Sequence, residues 1–241
     1  MEGEINPAPG SGGADGEPAA PSISAFQGII GVFANPRKVF EGMAAKPRFL
    51  IPLILVVLAQ AAFAVAIFQS GIVKSDAIAK MEAKGKPPEV VDAMEKFFDS
   101  PAAPVIGAVT GAVITTFVLL FNSAIFFFIG NLMLGAQLTY RHYLCVAAHS
   151  AVIGIVDLAV RAGLAIGKGT MDIRLGLGNL FGEDPGFVGR FLDTLTNPLM
   201  LWPTAVAAMG VAVFAKKSFS FGVLVALPAL VIGALLSGMS R

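Results

Sequence analysis

Hydrophobic and polar positions alternate along this chain on the scale of whole helices rather than of single residues. Residues 49–68, 104–134, 142–166, 198–215 and 219–238 are almost continuously apolar. Each block approaches or exceeds the roughly 20 residues a helix needs to cross a hydrocarbon core. The pattern predicts an all-α polytopic membrane protein: a bundle of about five transmembrane helices, with interfacial amphipathic helices and a disordered N-terminal tail.

The tail is residues 1–22, which hold Gly, Ala, Pro and Ser with Glu2, Glu4, Asp15 and Glu17 and almost no large side chain. Such a composition cannot offset the entropy of ordering. Residues 23–241 read as one membrane domain. At its start Ile23, Phe26, Ile29, Ile30 and Phe33 recur at helical spacing, and Asn35-Pro36 then supplies a cap and a proline at the first helical position. Val39, Phe40 and Met43 continue an apolar side, while Arg37 and Lys38 point elsewhere. Two short helices are expected, either lying in the membrane interface with Arg37 and Lys38 as anchors or packed on the protein's own bundle.

The first span carries Pro52 in its opening turn, where a missing N–H costs little, and one polar side chain at depth, Gln60, expected to bond to another helix. The loop at 71–103 contains an amphipathic segment after Pro87-Pro88, with Val90, Val91, Met94, Phe97 and Phe98 on one side and Glu89, Asp92, Glu95 and Lys96 on the other. The second block is longer than one crossing demands, so tilt or projection beyond the lipid is expected. Its Gly107-x-x-x-Gly111 lets another helix approach closely, and Asn122 and Asn131 are expected to make single hydrogen bonds to neighbouring helices. The loop at 167–197 is rich in glycine, but Gly176-x-Gly178 follows no strand and precedes no Gly-Lys-Ser/Thr, so it is not a phosphate loop. Trp202 opens the fourth span at interface depth. Lys216-Lys217-Ser218 turns the chain tightly into the fifth span, where Pro228 is expected to introduce a kink.

The third block departs from the others. Within an apolar run it carries His149, Asp157 and Arg161, and at about 100° per residue these share one side of a helix with His142 and Cys145. A charge facing lipid at mid-helix costs at least about 2.5–3.5 kcal/mol, so that side is expected to face other helices. Asp157 and Arg161 are spaced i,i+4 with the acid first, the favourable order. They read either as a structural pair that docks the span, with snorkelling of Arg161 as a variant, or as part of an ion or proton pathway.

Composition narrows the function. Of 241 residues, 56% are hydrophobic and 14% charged, and the formal net charge is +1, which argues against nucleic acid as a partner. One cysteine allows no internal disulfide. No basic start followed by an apolar run and cleavage site stands at the N-terminus, so the block from Phe49 is expected to act as an uncleaved insertion signal. No metal site is expected: His142 and His149 are about 10 Å apart along a straight helix, and no matching His or Cys lies elsewhere. Ser150 beside His149 and Asp157 is no hydrolase triad, because adjacent helical side chains diverge by about 100°. No catalytic residue and no cofactor is assigned.

The order and spacing of five segments resemble the Yip-one domain family, named for eukaryotic members that bind Ypt/Rab GTPases. These are FANPRKVFEGMAAKPRFLIPLILVVLAQ before and into the first span, the Met/Glu/Lys-rich loop leading to a Pro-led second span, LTYRHYLCVAAHSAVIGIV opening the third, and NPLMLWPTAVAAMGVAVFAKKSFSFGVLVAL across the last hairpin. The resemblance runs from about Phe26 to the C-terminus, and the Ala/Gly-rich composition is closer to the bacterial branch. It implies a non-enzymatic five-span membrane protein with a cytoplasmic N-terminus. Rab binding is not carried over, since no residue-level motif for it stands here, and His149 occupies a position where relatives often have an aromatic residue.

Arg37, Lys38, Lys46 and Arg48 precede the first span and Lys74 follows it, while Arg141 and the Lys216-Lys217 turn share the N-terminal side. This places the N-terminus in the cytoplasm and the C-terminus outside. The resulting expectation is a scaffold of the bacterial inner membrane, with the lipid bilayer and a membrane-protein partner or homo-oligomer as its contacts. The rival is a small transporter or channel using the polar side of the third span; an intramembrane enzyme is the remote third.

Overall fold

The computed structural model describes residues 24–182 and 184–239, so the expected disordered tail at 1–22 lies outside the described residues. Among the described residues there are ten α-helices and no strand: α1 (Ala25–Ala34), α2 (Pro36–Glu41), α3 (Leu50–Gln69), α4 (Ile72–Ala83), α5 (Pro88–Phe98), α6 (Ala102–Phe127), α7 (Tyr140–Lys168), α8 (Gly186–Thr196), α9 (Pro198–Ala215) and α10 (Phe219–Met239). Helices α3, α6, α7, α9 and α10 are long and apolar enough to cross a membrane, α6 being extended to Met133 by a π-helical segment.

Helix α7 is the axis. Its most apolar window is 61% buried inside the protein, against 11% for α3 and 17% for α6. Small side chains make this possible: Cys145, Val146, Ala148 and Val152 are all but inaccessible and let neighbours close in from several directions. Helices α3 and α6 pack together and against α7, α9 packs against α7 as well, and α10 packs on α9. The α9–α10 hairpin is tight. A Cβ on Gly222 would run into the carbonyl of Ala208, so the two backbones meet where α10 has no side chain. Lys216 turns the chain there in a left-handed conformation (φ 52°).

Helices α1 and α2 are cut by the signals the sequence carries. Ser24 and Gln27 form a capping box, and the Asn35 side chain accepts from the Lys38 N–H ahead of Pro36. Of the two placements open to them, packing on the bundle is what the contacts show. Gly28 lies against His149, and the Phe40 ring meets the rings of both His149 and Phe214. His149 is nine residues into α7, about 13 Å along its axis, so α1–α2 fills the groove beside α3, α7 and α9 rather than only skirting its end. Phe26 and Ile30 still face outward.

Two helices in the loops were not foreseen. Helix α4 follows α3 almost at once, and Lys74 on it lies 2.8 Å from Asp99 and 3.2 Å from Glu95. The Asp99 hydrogen bond raises the lysine pKa above its ordinary value. Helix α8 lies in the glycine-rich loop after a short 3-10 turn at Leu177–Phe181 and packs against α10. The expected amphipathic segment after Pro87-Pro88 is α5.

Candidate functional site

The charged end of α7 is built from two carboxylate oxygens and what reaches them. Asp157 is buried, and Arg161 Nε donates to both its oxygens, at 3.1 and 2.9 Å. Asn197 Nδ2 donates to the same carboxylate at 3.2 Å. Asn197 is fully buried, and its own Oδ1 accepts from the Leu199 N–H to cap α9. The far side of the guanidinium donates from Nη1 to the Ile173 carbonyl at 2.7 Å. One acid therefore ties α7 to the start of α9, and one base ties α7 to the loop after it.

His149 stands apart from this pair. Asp157 is eight residues further on, about 12 Å along the axis, and the imidazole is enclosed by Phe40, Gly28 and Cys145. Its Nδ1 is 2.9 Å from the Cys145 carbonyl, which can only accept, so Nδ1 carries the proton. The Cys145 thiol donates to the Arg48 carbonyl at 3.3 Å. His142 uses Nδ1 on Thr139 and Nε2 on the Ala44 carbonyl. The polar residues that share a face of α7 are thus divided among separate neighbours.

Beside the Asp157–Arg161 pair opens a cavity of about 930 Å³ between α6, α7, α9 and α10, reached by α8, α4 and the loop at 171–174. Its floor is apolar, from Phe126, Ala147, Ala207 and Ala226; Asn122, Ser150 and Thr204 add polar groups higher up. The Ser150 and Thr204 hydroxyls donate to carbonyls of their own helices. The rim carries Lys80, Arg161, Asp172, Arg174, Arg190 and Asp193. Arg174 is committed to Asp172, whose carboxyl it holds below the ordinary range, and to the carbonyls of Gly178 and Gly182. Asp193 accepts from the Gly176 N–H at 2.7 Å.

The remaining expected site residues are scattered. Gly107 and Gly111 both turn toward α3 of the same chain: a Cβ on Gly107 would run into the Phe68 ring, and one on Gly111 would lie 3.4 Å from the Gln60 amide. Gln60 makes no hydrogen bond among the described residues, because glycine offers it no side chain there. Asn131 makes more than a single bond: it accepts from Tyr143 and the Leu138 N–H and donates to the Leu138 carbonyl, closing the α6–α7 turn. Arg37 pairs with Glu41 at 2.9 Å on an exposed face that also carries Lys38, and the Trp202 ring meets Phe33 edge-on at 5.8 Å. Sequence reasoning missed Asn197, Arg190 and the Ile173 carbonyl. The Asn-Pro pair at 197–198 was readable as a cap, by the same signal as Asn35-Pro36, but not as a partner of Asp157.

Five apolar helices of spanning length, one of them largely buried among the others, make this an integral, multi-pass α-helical membrane protein. The model of the Yip1 domain matches residues 30–239, so the chain belongs to the Yip1 domain family. No curated protein and no solved structure matches it.

Proposed function

We propose that this protein is a non-enzymatic scaffold of a bacterial inner membrane, with its N-terminus in the cytoplasm and its C-terminus outside, holding a membrane-protein partner or a second copy of itself. The observation that carries the reading is the bonding of Asp157 and Arg161. The Asp157 carboxylate and the Nε and Nη1 donors of Arg161 join α7 to α9 and to the loop at Ile173, which is what a rigid platform requires.

Helix α6 offers a surface for such a partner, since Val109, Val113 and Phe117 recur every four residues and are 58%, 63% and 65% exposed. A photo-crosslinking residue at Phe117, activated in native membranes, is expected to yield one discrete protein adduct. Crosslinks to lipid alone at this and neighbouring positions would count against the scaffold.

The cavity favours a second reading, a small transporter with Asn122, Ser150 and Thr204 along its path. Against it stands the packing beneath the floor, where Tyr143, Val146, Val211 and Val225 are fully buried. A substrate-dependent flux in proteoliposomes, abolished by Asp157→Asn, would move this reading to first place.

A further inference from the structure

The cavity beside α7 has the proportions and polarity of a site for a two-ended molecule. From the level of Arg161 to Ala147 is fourteen residues of helix, about 21 Å, somewhat more than the roughly 15 Å that one leaflet contributes to the hydrocarbon core. Its volume of about 930 Å³ falls within the range of ligand pockets.

The charges sort by what already holds them. Asp76 pairs with Lys80 at 2.7 Å, Asp172 with Arg174, and Asp193 with a backbone N–H. Two donors are left over at the rim. Arg161 bonds through Nε and Nη1, so its Nη2 makes no hydrogen bond among the described residues, and Arg190 makes none at all there. Both flank one short segment: Arg161 donates to the Ile173 carbonyl, and the charge of Arg190 acts on the neighbouring Asp172. Two guanidinium groups with spare donors suit a phosphate.

The cavity also has a side opening. Val118 and Phe121 on α6 and Leu236 on α10 line it while remaining 45%, 45% and 61% exposed. The gap between α6 and α10 therefore faces the hydrocarbon. On the opposite side of α7 the comparable groove is filled by α1–α2, whereas no segment of the described chain fills this one.

The geometry points to a binding site for one anionic membrane phospholipid, its phosphate on Arg161 and Arg190 and one acyl chain lying between α6 and α10 down to Ala147. This site stands independently of the scaffold reading. A free phosphate would use the rim but leave the apolar shaft empty, and a neutral lipid would bring no net negative charge to the spare donors of the two arginines.

Gly233 supplies a test that leaves the fold intact. It lines the cavity, and a Cβ built there meets nothing within 4 Å, so Gly233→Phe places its ring in the open space. The protein would be released from nanodiscs containing equal phosphatidylglycerol and phosphatidylcholine and weighed intact by native mass spectrometry. Wild type is expected to retain one phosphatidylglycerol over phosphatidylcholine by about tenfold, a preference within reach of charge-assisted hydrogen bonds. Arg190→Gln should lose that preference, and Gly233→Phe should lose retention of both lipids with an unchanged melting temperature. Equal retention of the two lipids by wild type, or undiminished retention by Gly233→Phe, would overturn the assignment. So would inorganic phosphate stabilising the protein as much as phosphatidylglycerol does, since that would make the rim an ion site.

Discussion

Asn197 donates to Asp157 across 3.2 Å although forty residues separate them, and both side chains are buried. The contact places the cap of α9 on the only carboxylate within the central span, so the start of one helix and the charge of another are held by a single group.

Removing one member of the Asp157–Arg161 pair strands the other. Asp157→Ala leaves Arg161 and the Asn197 amide without their acceptor, and a cost of about 3–5 kcal/mol is expected. Arg161→Ala should cost less than this, because its side chain is 30% exposed and Asn197 still serves the carboxylate. The double mutant should recover part of the loss, so a double-mutant cycle on detergent unfolding is expected to give a coupling energy of opposite sign to the single effects. Additive losses would show that the pair does not act as a unit.

Close backbone approach between α9 and α10 depends on Gly222. Gly222→Ala drives a methyl group into the Ala208 carbonyl, which cannot swing aside as a side chain could; a loss of about 1–3 kcal/mol or more is expected. Gly163→Ala on α7 meets nothing within 4 Å and should be neutral or stabilising by up to about 1 kcal/mol. Thermal melts of the two variants side by side check the contrast.

Acid should loosen the rim of the cavity. Arg174 holds the Asp172 carboxyl below its ordinary value of 3.8. The stabilisation is therefore fully present above 3.8 and is lost as the pH falls through the depressed folded value. Amide hydrogen exchange at residues 172–182 is expected to quicken over that acid window in wild type. Asp172→Asn should show fast exchange at every pH, with no acid step of its own.

Orientation can be read with cysteines, because the native Cys145 is fully buried and should react slowly. In a Cys145→Ala background, Gly85→Cys on the α4–α5 turn is expected to label in intact cells with an impermeant maleimide. Ser218→Cys on the α9–α10 turn should label only after the membrane is opened. The reverse pattern would place the N-terminus outside.

Much of the fold was legible in the amino-acid order. The five spanning helices follow from apolar length, α1 and α2 from the helical spacing of Ile23 to Phe33 and from Asn35 and Pro36, and the Asp157–Arg161 pair from i,i+4 spacing. Helices α4 and α8 were not. Helix α4 mixes both charge signs with weak amphipathy, and α8 sits among glycines at Gly182, Gly186 and Gly189 that read as loop.

The candidate site was legible only in part. Periodicity reports direction around a helix axis, so it gathers His149, Asp157 and Arg161 on one side of α7. It carries no information about height or neighbour, and the helix rise is what parts His149 from the other two. Local pattern alone, then, settles which segments enter the membrane, where helices begin and that Asp157 can meet Arg161, because each of these depends on residues within a turn or two. That Asn197 joins them, that Gln60 meets a glycine, that α1–α2 fills one groove of α7 and that a cavity remains in the other depend on helices far apart in the chain. Those contacts exist only once the helices have packed.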